Sequence, residues 1–232
     1  MPEKSIVKLF PHLYNVKVKI SLGEQLMIVK TPLYRVWKRG LSRGLKKKRL
    51  NRLFELTGLS EAKKLRILEV GCANGMDVLQ FLTDKDNYEL FGVDIIDSKI
   101  PFENFTFVQA DANSLPFDDN YFDLVISVGL LEHIEPMEKL SACIKEIARV
   151  GKAYAVVIPS ASSLIEPHTV SPRWQSRLHK KLVHKHSANE ILHLNFFTDH
   201  TWTKFEGFAD AEVKRFYYLF PLIKNTVVYW RK

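Results

Sequence analysis

The residues that could do chemistry sit at the ends of short apolar runs. Glu69-Val70-Gly71-Cys72-Ala73-Asn74-Gly75 follows the run 65–70 (LRILEV). An acid therefore closes a strand, and a tight loop of small residues opens what reads as a helix over 75–83. Small residues let a ligand come close to the backbone, and a helix start would turn its N–H groups toward that ligand. In a dinucleotide fingerprint the third glycine would fall at Met76, so that pattern does not apply. Asp94 closes FGVD, 23 residues after Gly71. A carboxylate at the end of a second strand can accept both hydroxyls of a ribose; the alternative is that it begins a turn with Asp97. No metal site is expected.

The elements that must position these residues read as an α/β alternation. Strands are predicted at 65–70, 88–94, 105–109, 122–128 and 153–159, with helices over 75–83 and about 136–149. Apolar runs of this length describe a parallel sheet covered by helices. A Thr198-capped helix to about 208, a strand near 211–219 and a last strand near 225–231 follow. Upstream, Thr31-Pro32 opens a helix with Leu33, Trp37, Leu41 and Leu45 four apart, and a second short helix runs to Leu56 and stops near Gly58. The 232 residues are read as a basic, partly helical extension (1–60) and one domain (61–232).

Charge is distributed in blocks. Residues 1–53 hold 14 basic and 2 acidic side chains, residues 54–165 a net of −9, and residues 166–232 a net of +5. Between Gln25 and Phe54 there is no acid, and ten Lys and Arg residues accumulate there. Such a stretch attracts phosphate on lipid, nucleic acid or a nucleotide-linked substrate, or is a solvated basic helix. The first residues lack the apolar run of a signal peptide, and no stretch reads as a spanning helix. Two cysteines, Cys72 and Cys143, fit a reducing cytoplasm. The expected location is cytoplasmic, possible peripheral contact with an anionic membrane included.

The stretch 107–150, FVQADANSLPFDDNYFDLVISVGLLEHIEPMEKLSACIKEIARV, carries the family signal. Together with Glu69, Gly71 and Gly75 it resembles the type 11 branch of class I S-adenosylmethionine-dependent methyltransferases, with Ala73 replacing the middle glycine of that loop. The resemblance is detailed over about 65–160 and continues weakly through HLNFFTDHTW at 193–202. It implies a Rossmann-like, seven-stranded, mostly parallel sheet with helices on both faces, plus the N-terminal helical extension and an acceptor cap inserted at about 160–195. The implied cofactor is S-adenosyl-L-methionine. Gly71, Cys72, Ala73 and Gly75 would form the loop under its methionine part, with Glu69 organising that loop. Asp94 would hold the ribose, Ile95 would lie against the adenine, Asp111 would accept the adenine amino group, and Ala112 would supply a backbone contact. Ser127 would line the cofactor beside the reacting methyl. Two departures touch the periphery: only ten residues separate Asp94 from Phe105, where the family inserts a helix, and Pro-Gly-Gly before the fifth strand is shortened to Gly151-Lys152.

His133, after the fourth strand, is the first candidate for a general base or acceptor-orienting residue, or else packs beside the next helix. His168 is a weaker second candidate. In the cap, Ser171-Pro172 is expected to open a helix with Trp174, Leu178 and Leu182 on one face. The expected activity is methyl transfer to a small-molecule, lipid-linked or saccharide acceptor. The alternatives are a nucleic-acid methyltransferase using the basic flanks and a non-catalytic cofactor-binding partner. Ser-Val-Gly-Leu at 127–130, where base methylases tend to carry Asn/Asp-Pro-Pro-aromatic, argues against nucleic acid.

Overall fold

The computed structural model describes residues 42–62, 64–75, 77–83, 86–97, 104–166, 171–172, 195, 197–219 and 222–231. The chain divides into two compact units, residues 1–46 and 47–232. Helix α1 (Ser42–Leu56) buries Leu50, Leu53 and Phe54, spaced as one face of an amphipathic helix. It stops before Gly58, whose φ of +71° makes the left-handed turn that ends helices.

Seven strands form one sheet: β1 (Leu65–Val70), β2 (Tyr88–Asp94), β3 (Thr106–Gln109), β4 (Leu124–Val128), β5 (Ala153–Pro159), β8 (Glu212–Leu219) and β9 (Ile223–Arg231). Their order is β3-β2-β1-β4-β5-β9-β8. The first five are parallel, β9 runs antiparallel to β5, and β8 antiparallel to β9. This is the mostly parallel seven-stranded sheet the sequence implied. From β1 the chain moves outward through β2 and β3, then returns to place β4 on the other side of β1. Sheets of this kind bind ligands at such a reversal, beyond the carboxyl ends of the strands.

Alternate residues of the strands feed two separate cores. On one face Leu68, Val70, Val125, Tyr154 and Val156 meet Leu140, Cys143, Ile144 and Ile147 of α2 (Met137–Val150). On the other, Ile67, Leu124, Ile126, Ala155 and Val157 cluster with Leu50, Leu53 and Phe54 of α1. The central strands are buried throughout because both faces carry a helix.

Three expectations about helices are corrected. Among the described residues of 75–83 there is no α-helix; they make turns and one short 3-10 turn at Leu79–Phe81. Gly75 sits at φ +70° and Val78 at φ −129°, ψ −59°, both outside the helical region. Val78, Leu79 and Leu82 are nevertheless buried, which is the periodicity that mimics a helix. Ser171–Pro172 is not a helix start but strand β7, paired antiparallel with β6 (Ile165–Glu166). A residue before proline avoids the helical region, and proline is accepted at the edge of a ribbon. Trp174, Leu178 and Leu182 lie outside the described residues, as does the helix expected from Thr31. The helix expected from Thr198 to about 208 is one turn, α3 (Asp199–Trp202), and a 3-10 turn at Glu206–Phe208. The Thr198 hydroxyl pairs with that of Thr201 at 2.9 Å rather than capping an N–H. Gly207 lies so near α2 that a Cβ would come within 2.7 Å of the Ile144 carbonyl, so contact with α2 sets the path here.

Candidate functional site

The loop after β1 takes its shape from three left-handed residues, Gly71 (φ +74°), Ala73 (+48°) and Gly75 (+70°). Its N–H groups are used internally. Those of Gly71 and Cys72 donate to the Val93 carbonyl at 2.8 and 3.1 Å, and that of Gly75 to the Cys72 carbonyl at 2.7 Å. The Ala73 N–H donates to Asp94 Oδ2 at 2.9 Å. The sequence expectation of N–H groups aimed at a ligand from a helix start is therefore corrected: among the described residues there is no helix start, and these four donors are engaged. With those N–H groups engaged, they are not offered to a phosphate.

Two buried carboxylates hold the loop. Glu69, 1% exposed, accepts the Leu79 N–H on Oε2 at 3.2 Å. Asp94, 6% exposed, also accepts the Ile96 N–H on Oδ1 at 3.1 Å. A carboxylate offers about four acceptor positions, so fastening the loop does not exhaust Asp94. Ile95 is exposed beside it. Cys72 turns inward: its sulfur lies 2.9 Å from where a Cβ on Gly92 would stand, and burial pushes its thiol far up from the ordinary range. It therefore shapes the loop and presents no side chain to a ligand.

The ends of β2 and β3 bring the third acid alongside. The Ala110 N–H donates to the Asp94 carbonyl at 3.1 Å, and one residue on, Asp111 is half-exposed. Asp111 Oδ1 accepts the Asn113 N–H at 3.2 Å, and Lys139 of α2 lies 3.9 Å from Oδ2. Ala112 is buried. The Leu115–Phe117 turn behind them is fastened to α2. Arg149 donates to the Leu115 and Phe117 carbonyls, and Glu146 accepts the Leu115 N–H at 2.7 Å. The Arg149 guanidinium holds the Glu146 carboxyl below its ordinary range, helped by that N–H and opposed by burial. Arg149 is correspondingly raised by Glu146 and Asp119.

The loop after β4 closes the crevice. Leu130 lies over Gly71, with carbons 3.0 Å from the position of a Cβ there. Ser127 is corrected in its role: it is fully buried and its hydroxyl donates to the Val70 carbonyl at 3.0 Å, so it joins β4 to β1 beneath the site instead of lining it. His133 ends a 3-10 turn at Leu131–His133 with its side chain 25% exposed. Its Nε2 is 3.9 Å from Oε1 of Glu132, which is fully buried. His168 lies outside the described residues.

Asn195, which the sequence did not single out, clamps this loop. Its N–H donates to the Glu132 carbonyl at 2.7 Å. Its side-chain amide donates to the Leu131 and Ile134 carbonyls at 3.1 and 2.7 Å. Glu132 could have been noticed as the acid beside His133; Asn195 could not, since its partners lie more than sixty residues away. Among the described residues no group of His, Cys, Asp and Glu is placed to hold a metal ion, and no helix is long and apolar enough to cross a membrane.

Residues 68–158 match the family model described as a methyltransferase domain. Over 114 residues the chain is 29% identical to ajmaline N-methyltransferase of Rauvolfia serpentina, covering 42% of this chain and 36% of that one. The chain thus spans about a third of the length of this curated relative. Among solved structures, magnesium protoporphyrin IX methyltransferase from Synechocystis PCC 6803, with bound S-adenosylhomocysteine, aligns with a TM-score of 0.58 at 15% identity, over 87% of this chain and 88% of that one. The 1,6-didemethyltoxoflavin N1-methyltransferase of Burkholderia thailandensis aligns with a TM-score of 0.56 at 14% identity, over 91% and 90%. At these identities the structural likeness establishes the fold.

Proposed function

We propose that this chain transfers a methyl group from S-adenosylmethionine to a small-molecule acceptor, a reading supported by the match of residues 68–158 to a methyltransferase domain. The observation that carries the reading is the pair of buried carboxylates, Glu69 and Asp94, holding a glycine-lined loop at the point where the strand order reverses. The residues suit the cofactor: acids for a ribose and an adenine amino group, an exposed Ile95 for the ring, and a loop with no phosphate-binding character. When bound, S-adenosylmethionine supplies a methyl already activated by its sulfonium.

The chain's own residues then have to orient the acceptor, a contribution of about 7–11 kcal/mol when the reacting atoms are well aligned. His133 receives the acceptor's proton at a ring nitrogen. The Glu132 carboxylate, 3.9 Å from Nε2, balances the positive charge the ring acquires. Leu130 and Leu131 keep water from that end of the crevice. The basic run at 25–54 favours an amphiphilic or anionic acceptor, lipid-linked or saccharide, met at an anionic membrane.

A panel of candidate acceptors with labelled S-adenosylmethionine tests the reading. Label should move to an acceptor, and His133→Ala should slow transfer about 10²–10⁴-fold while affinity for S-adenosylhomocysteine stays within twofold. Unchanged transfer by His133→Ala would remove the assignment of the base.

A further inference from the structure

Among the described cations of the basic run, Arg49 alone is buried. Lys47, Lys48 and Arg52 of α1 are exposed, and Arg52 pairs with Glu55 on its own helix. Arg49 is 5% exposed, and its Nη2 donates to Asp77 Oδ1 at 2.8 Å. A cation taken out of water needs its counter-charge close by. That counter-charge sits two residues beyond Gly75, in the loop read above as the cradle for the cofactor's methionine end.

The loop needs such help. Among the described residues no α-helix continues from it, and besides the local bond from the Gln80 N–H to the Gly75 carbonyl at 3.0 Å it is held by tertiary tethers. Asp94 holds Ala73 and Glu69 holds Leu79. Arg49 holds Asp77 between them, and α1 is seated on the sheet by Leu50, Leu53 and Phe54 independently of the ion pair. We infer that α1 is part of the cofactor site and that Arg49 is a positioning residue, bracing the glycine loop through Asp77. A loop that holds its binding shape for only a fraction of the time weakens apparent affinity by that fraction.

This inference rests on the proposed placement of the cofactor, and the test separates the two. Calorimetry with S-adenosylhomocysteine on the full-length protein compares Arg49→Met, Asp77→Asn, the double variant, Arg49→Lys and Asp94→Ala. Each of the first two should weaken binding about five- to twentyfold, the double variant no more than the worse single, and Arg49→Lys should recover most of the loss. A purely structural ion pair would lower the melting temperature and leave affinity within twofold. Affinity within twofold for Arg49→Met and Asp77→Asn, with Asp94→Ala impaired, overturns the brace and leaves the cofactor placement standing. If Asp94→Ala is also unimpaired, both fall.

Discussion

Ala73 occupies a backbone position that glycine would fill more easily. Of the non-glycine residues at positive φ, Asn104 and Asn120 are of a type that tolerates the left-handed region, whereas Ala73 (φ +48°) is not. Holding an L-residue there costs about 1–2 kcal/mol. Glycine removes that cost but returns freedom to the unfolded chain, about 0.4–1 kcal/mol. Ala73→Gly should therefore stabilise the protein by about 0.5–1 kcal/mol. In a chain of this size that is a rise of about 1–4 °C in melting temperature. The N–H that meets Asp94 is retained, so affinity for S-adenosylhomocysteine should stay within about threefold. Thermal unfolding with and without ligand measures both. A melting temperature equal to or below that of the parent would show that the methyl group's packing outweighs the backbone strain, and that the loop is not strained at Ala73.

Three further outcomes are expected. Glu146 has a folded pKa below its unfolded value, so it contributes stability above the ordinary glutamate range that is lost as pH falls through the lower, folded value. Acid unfolding followed by circular dichroism should be steeper in the parent than in Glu146→Gln; equal steepness would refute the contribution. Asn195→Ala removes two bonds to carbonyls while keeping the backbone N–H to Glu132, and should destabilise by about 1–3 kcal/mol with S-adenosylhomocysteine affinity intact; thermal unfolding and calorimetry check this. Anionic liposomes should retain the protein at low salt and release it at high salt. Charge reversal at the exposed Lys47 and Lys48 should weaken retention, and unchanged sedimentation with the vesicles would end the membrane reading.

The parallel sheet was legible because both its faces are covered, which makes LRILEV, FGVD and AYAVVIP continuous apolar runs. The placement of Glu69 and Asp94 followed from the strand ends. What misled was burial without helix: Val78, Leu79 and Leu82 have helical spacing, but Gly75 and Val78 lie outside the helical region. Ser127 looked like a lining residue from its place in the strand, yet its hydroxyl is spent on Val70. Arg49 was hidden among nine other cations, and only the tertiary approach of Asp77, 28 residues on, distinguishes it. Asn195 carries no local signal, because its partners are backbone carbonyls that any sequence supplies.

The most direct measurement is titration of Asp94→Ala and Asp111→Ala with S-adenosylhomocysteine by calorimetry. A lost bond to a charged acceptor is worth about 1.5–3 kcal/mol, so Asp94→Ala should bind roughly ten- to hundredfold more weakly, with a smaller loss for the half-exposed Asp111. Binding by both variants as tight as the parent's would mean that the donor's adenosine lies elsewhere.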